Sequence, residues 1–216
     1  MATIVPTILT ADTNEYRSLV ESFATFTRRV QIDISDGIFA QPATIPEFSA
    51  WWPKEWEVDI HMMVAKPSEH LPALLKLKPS LVIFHAEVEE DLIPIMEQLR
   101  NAGIKVGVAL LKSTYPGRVK ETINAADHVL IFAGDLGRQG GEADMLQIEK
   151  VPIIRSINKN VEIGWDGGVN LSNIRAIAHS DIDVINVGKA ITQSTERPAI
   201  YKALVAEADK RGVVLN

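Results

Sequence analysis

The sequence predicts an α/β protein folded as a single TIM (β/α)8 barrel over residues 1–216, and three observations lead there. Eight short, apolar, β-branched runs recur at near-regular intervals along the chain. Most of the gaps between them carry helical periodicity, and strand–helix alternation of this kind builds a parallel sheet with right-handed crossovers. The runs are near-continuously apolar, as strands buried on both faces are. An open doubly wound sheet would usually show a glycine fingerprint after its first strand, and "PTILTAD" carries none. A closed barrel at the short end of its size range therefore fits best.

The first strand is "TIVPTIL", followed by "EYRSLVESFATF", where Tyr16, Leu19, Val20 and Phe23 fall at helical spacing. "RVQIDI" is the second strand: Val30, Ile32 and Ile34 make one face, Gln31, Asp33 and Ser35 the other, and Asp36-Gly37 ends it. The next stretch, "AQPATIPEFSAWWPKEW", is Pro-rich, so its helix is expected to be short or distorted. "EVDIHMMV" is strand three; Ser68-Glu69 then opens a helix with Leu71, Leu74 and Leu75 on one side. "SLVIFHAEV" is strand four, and "DLIPIMEQLRNAG" follows as a helix closed by Gly103 as its C′ residue. Strands five to eight are read as "KVGVALL", "HVLIFAG", "VEIGW" and "DVINVGKAI", with helices in "NLSNIRAIAHS" and in "AIYKALVAEADKRG", which ends on Gly212.

Composition narrows the function classes. A chain that is 46% hydrophobic and 23% charged is that of a globular domain. The net charge of −6, with no Lys/Arg run, argues against nucleic acid. No cysteine is present, so disulfides and thiol chemistry are excluded. No segment approaches the length of a membrane span, and "MATIVPTILTAD" does not read as a signal peptide. The expected setting is cytoplasmic, with no membrane partner.

In a (β/α)8 barrel the site forms where strands end and βα loops begin. Polar residues gather there: Thr10 and Asp12 after the first strand, Gln31, Asp33 and Asp36 on the second, His61 on the third, His85 and Glu87 on the fourth, Asp166 on the seventh. A lone histidine in an apolar strand is usually a satisfied core residue. Carboxylates and imidazoles at five strand ends around one mouth point to a site. The last three loops are glycine-rich: "AGDLGRQGGEAD" with Gly140 and Gly141, "DGGVN" with Gly167 and Gly168, and "VGKA" with Gly188 and Lys189. Loops after strands seven and eight frequently cradle phosphate with backbone N–H groups, and Lys189 adds a positive charge. Any one pair could equally be turn glycines needed for positive φ. Thr10, His61, these glycines and Lys189 are the candidate substrate contacts.

In combination and order these segments resemble the ribulose-phosphate 3-epimerases. "VPTILTADTNEY" is similar to that family's PSILSAD segment, "QIDISDGIFAQPATI" to HxDxMDGxFVPN, and "VDIHMMVAKP" to DxHLMVxxP. "FHAE", "GVALLKST", "IGWDGGVNLSNI" and "INVGKAIT" follow its FHxE, GxALxPxT, VDGGI and AGSAIF-like elements. The resemblance implies epimerisation of a ketose phosphate of the D-ribulose 5-phosphate / D-xylulose 5-phosphate type, as in pentose phosphate metabolism. It assigns Asp33 and Asp166 as an acid/base pair working through an enediolate. It also implies a divalent metal (Zn, Fe, Mn or Mg) on Asp33, His61, Asp166 and the residue at position 31.

Position 31 departs from the family, with Gln31 where the first metal-ligand histidine stands. A carboxamide oxygen is a poorer ligand for zinc-like ions than imidazole. Two readings stay open: a weakened three- or four-ligand metal site, or a metal-free pocket in which Gln31 hydrogen-bonds substrate or Asp33. Ser35 replaces a methionine over the reacting centre, Lys189 replaces a small serine, and the sixth loop adds Asp135 and Arg138, the latter a candidate phosphate clamp. Alternatives are a metal-independent isomerase or aldolase, with Lys189 or Lys112 as a Schiff-base lysine, and a non-catalytic phosphosugar-binding barrel. Trp51, Trp52 and Trp56 share one loop, either as a homo-oligomer contact or as a plug under the helix layer.

Overall fold

The computed structural model describes residues 2–136 and 140–211. Among them, eight parallel strands close in chain order into a barrel. The strands are β1 (Thr3–Ile8), β2 (Arg29–Ser35), β3 (Glu57–Met63), β4 (Leu81–His85), β5 (Lys105–Leu110), β6 (His128–Phe132), β7 (Glu162–Asp166) and β8 (Val184–Val187). The helices outside are α1 (Thr13–Phe23), α2 (Pro67–Leu77), α3 (Leu92–Asn101), α4 (Lys120–Ala125), α5 (Lys150–Ile157), α6 (Ile174–Ala178), α7 (Lys189–Thr192) and α8 (Arg197–Ala208). None of the described helices is long and apolar enough to cross a membrane.

Local chemistry explains most boundaries. Asp12 opens α1 by accepting hydrogen bonds from the N–H groups of Asn14 and Glu15, at 2.7 and 3.3 Å. Asp91 does the same for α3 through the N–H of Ile93, and Gly103, at φ +82, follows its last turn as expected. α2 starts one residue earlier than Ser68, because Pro67 occupies its first turn, where a missing N–H costs nothing. Between β2 and β3 the chain forms only a 3-10 turn at Glu47–Ser49, in line with the proline content there. The eighth run is shorter than expected: the strand stops at Val187, and "KAIT" is α7. Arg138 and Gly212 lie outside the described residues.

Alternation on the strands sorts the side chains. Outward residues such as Val30, Ile32, Ile34, Val58, Ile60 and Met62 pack beneath the helices with Leu19, Phe23, Leu74 and Leu99, forming the main apolar core. The opposite face of the strands carries polar groups at both ends of the barrel. A small apolar cluster, Leu81, Ile83, Ala109 and Leu130, lies on that inner side of β4, β5 and β6. At the strand starts, Arg29 donates to Asp59 Oδ2 at 2.8 Å and to both Glu162 oxygens at 2.9 and 2.7 Å. His128 Nδ1 lies 2.8 Å from Glu162 Oε2. This ionic plug closes the bottom and leaves the strand ends to form the mouth.

Of the three tryptophans, Trp56 is buried in the core, and Trp51 is partly exposed with its carbonyl receiving the Tyr16 hydroxyl at 2.8 Å. The loop is thereby fastened onto α1.

Candidate active site

At the mouth lies a cavity of about 360 Å³ lined by residues of β1, β2, β3, β6, β7 and β8 and the loops that follow them. Asp33 and Asp166 line it together with Gly140, Gly141, Gly167, Gly168, Gly188 and Lys189. Eight of the expected residues, drawn from four separate segments, are thus brought to one cavity. Met63 and Phe132, with Leu9, Val169 and Ala190, supply the apolar part. Ser35 does not enter: its hydroxyl is bonded to the Ala40 carbonyl.

Asp33 and Asp166 are joined by one side chain. The Gln31 amide nitrogen donates to Asp33 Oδ1 at 2.9 Å and to Asp166 Oδ2 at 2.6 Å. Gln31 is fully buried, and its Oε1 has no hydrogen-bond partner among the described residues. The amide orientation is therefore set by the carboxylates alone. Two charges about 4 Å apart repel by about 4 kcal/mol at an effective dielectric of about 20. Two hydrogen bonds to charged acceptors contribute about 1.5–3 kcal/mol each, so the amide roughly offsets the repulsion. Burial, with the Asp33 charge next to it, pushes the Asp166 carboxyl up to about 7.

Behind the aspartates runs a buried chain of polar groups. His61 Nδ1 faces Asp33 Oδ1 at 3.1 Å, and its Nε2 lies 2.9 Å from His85 Nε2. His85 Nδ1 faces Glu87 Oε2 at 3.3 Å. Burial lowers His85 to about 4, so near neutrality its ring is neutral. Glu87 is held below its ordinary range against its own burial by His85, Thr114 and the Leu111 N–H. His61 contacts Asp33 Oδ1 from behind, and it does not line the cavity.

Asp33, His61 and Asp166 each offer one ligand atom, all within 4.8 Å of one another, which is a set a divalent cation could use. The fourth position does not match. Gln31 turns N–H groups inward, and an amide nitrogen carries no lone pair for a metal. The donor set as folded therefore does not fit a cation held between the two aspartates.

Other expectations also change. Thr10 is not among the lining residues; its hydroxyl donates to Glu15 and accepts the Asp12 N–H, which makes it part of the α1 start. Asp36 staples its loop by accepting from Ile38, Phe39 and Ala65 N–H groups. Lys112 is tied to Asp135 at 3.0 Å and lies outside the cavity lining. The lysine whose amine burial depresses, to about 8, is Lys150, which donates to the Leu111 carbonyl. Sequence reading missed Thr7 and Asn186, which line the cavity with Thr7 Oγ1 and Asn186 Oδ1 buried and unpaired among the described residues. The available signal was a polar residue on the inward face of an apolar strand near its C-terminal end.

Gly167 and Gly168 have φ of +112 and +68. A Cβ on Gly167 would lie 2.1 Å from the Gly134 nitrogen, and one on Gly168 would lie 2.1 Å from the Ala143 nitrogen. The sixth and seventh loops touch backbone to backbone here. Both glycines are required by that approach, whatever the cavity binds.

The Ribulose-phosphate 3 epimerase family model matches residues 3–192. The ribulose-phosphate 3-epimerase of Helicobacter pylori (strain ATCC 700392 / 26695) is 25% identical over 208 residues, covering 93% of this chain and 95% of that one. That of Treponema pallidum (strain Nichols) is 26% identical over 210 residues, covering 93% and 95%. Among solved structures, KGPDC from Streptococcus mutans superposes with a TM-score of 0.74 at 9% identity, covering 96% of this chain and 97% of that one. The 3-hexulose-6-phosphate synthase from Salmonella typhimurium gives 0.72 at 14% identity, covering 95% and 98%. These two likenesses are of fold, whereas the family match spans the strands that carry both aspartates and the glycine loops of the cavity. The chain belongs to the ribulose-phosphate 3 epimerase family.

Proposed function

We propose that this protein is an isomerase that epimerises a ketose phosphate of the D-ribulose 5-phosphate / D-xylulose 5-phosphate type. The observation that carries the proposal is the pairing of Asp33 and Asp166 through one amide on the wall of one cavity. One carboxylate removes the proton next to the substrate carbonyl, an enediolate forms, and the other carboxyl returns a proton from the opposite face. Thr7 Oγ1, unpaired among the described residues, donates to an enediolate oxygen or receives a substrate hydroxyl, and Asn186 Oδ1, likewise unpaired, accepts from a substrate hydroxyl. Gly140, Gly141, Gly167, Gly168 and Gly188 present backbone to the phosphate, and Lys189 adds its charge. The glycine requirement at Gly167 and Gly168 comes from loop packing, so the phosphate assignment leans on Lys189. Exchange of the substrate proton with deuterated solvent tests the pair: Asp33→Asn and Asp166→Asn should each abolish it while the circular dichroism spectrum stays unchanged. Normal exchange in both variants would overturn the assignment.

A further inference from the structure

We propose that the Gln31 amide takes the place of a cation in this site, holding Asp33 and Asp166 together so that the pocket works with no bound divalent metal. The inference rests on reading these two aspartates as the working pair. Both N–H groups of a single amide are committed, one to each carboxylate, at 2.9 and 2.6 Å. A cation shared by the same two oxygens would sit against those N–H groups, whose partial charge is positive. Its arrival would require the amide to turn over and present Oε1. Nothing else decides the orientation, because Oε1 has no donor facing it among the described residues. The carboxylates select N–H inward, and a cation would select oxygen inward. The side chain has no route away from this choice: it is fully buried on β2, with its Cα paired to Thr7 on one side and Asp59 on the other.

His61 gains a different role in such a site. With its Nε2 held by His85, it braces Asp33 from behind, and the Glu87–His85–His61 chain fixes the position of one carboxylate while Gln31 links it to the other. The three ligand-type residues that remain are thereby organised without an ion.

The test uses the full chain, stripped with a chelator and confirmed metal-free by elemental analysis. Calorimetric titration with ZnCl2 and MnCl2 should show no stoichiometric binding that Asp166→Asn removes. The side-chain amide resonances of Gln31 should be protected from exchange and should not shift on adding either salt. Gln31→His, which supplies a lone pair, should bind Zn2+ at least about tenfold tighter than the parent. Gln31→Glu serves the same purpose if the histidine variant does not fold. One cation bound per parent chain and lost in Asp166→Asn, or a shift of the Gln31 resonances with Zn2+, overturns the proposal. Deuterium exchange into D-ribulose 5-phosphate separates the two readings. If the chelated parent exchanges the proton at full rate, both stand; if exchange appears only on adding metal, the amide proposal falls and the epimerase reading survives. If no exchange occurs with or without metal while the binding results are as expected, the epimerase reading falls, and with it the claim that the pocket works on this substrate, while the amide still stands as the metal-excluding link between the two aspartates.

Discussion

Gln31 and Asp166 are separated by 135 positions in the chain and joined by a 2.6 Å hydrogen bond at the barrel mouth. Closure of the barrel from β1 to β8 produces that proximity, since β2 and β7 reach each other only across its interior. The same amide nitrogen reaches Asp33 two residues along its own strand, so one side chain links the candidate acid and the candidate base.

Removing that link should be costly. Gln31→Leu keeps the volume approximately and deletes both donors, leaving two buried carboxylates facing each other. A loss of about 3 kcal/mol in stability is expected, from the unmet desolvation of charged acceptors. The urea midpoint reads it. The rate should fall by about 100-fold, because misplacing reacting groups has effects of that order. A variant as stable and as active as the parent would show that the bridge does neither job.

Asp166 should make stability depend on pH in a definite direction. Its folded-state value is raised to about 7, by burial first and then by Asp33, with His61 and Gln31 opposing. The fold thus favours the protonated form. That contribution is complete below the unfolded value of about 3.9 and is lost as pH rises through about 7. The parent should therefore lose stability between about pH 4 and about pH 7, and Asp166→Asn, which cannot ionise, should flatten that loss. Thermal melts of the two proteins across this range are the measurement. Parallel curves would mean that Asp166 titrates elsewhere.

Lys189 is expected to serve binding and not the chemical step. Lys189→Met should raise KM by about tenfold with kcat near that of the parent, the signature of an interaction made equally in ground and transition states. Borohydride reduction in the presence of substrate should leave Lys189 unmodified. A covalent adduct at Lys189 would move the chemistry to a Schiff base.

The bottom plug should matter for folding alone. Arg29→Met leaves Asp59 buried without its guanidinium, a change expected to cost about 3–5 kcal/mol. Substrate affinity of the folded fraction should be unchanged, because the plug is at the opposite end of the strands. Arg29 and His128 hold Glu162 well below the ordinary carboxylate range, against the effect of its own burial. Its contribution is therefore present above the unfolded value and lost as pH falls through the depressed one. Acid melts of Glu162→Gln should start from lower stability and show a shallower decline.

Much of the fold was legible because it follows from local rules. Apolar, β-branched runs located the strands, and Gly103 ended a helix as expected, whereas Asp12, grouped in the sequence with the polar residues of the mouth, caps α1. "DVINVGKAI" misled because an apolar run does not tell where extended backbone turns helical; Gly188 is where it does. At the site, Asp33, Asp166 and the glycine loops were readable as types of residue near strand ends. Thr10 was misplaced, and Thr7 and Asn186 were overlooked, because the choice depends on which face of a strand looks inward at a given height in the barrel.

The sequence by itself determined the number and order of strands, the polar inner face of β2, and the two aspartates near the ends of β2 and β7, since each depends on neighbours a few residues apart. Only the tertiary structure decided what Gln31 does. An amide can present either an oxygen to a cation or two hydrogens to anions, and its choice depends on the charges that closure of the barrel places around it. Here those charges are two carboxylates, one from its own strand and one from across the barrel, and the side chain answers them with its hydrogens.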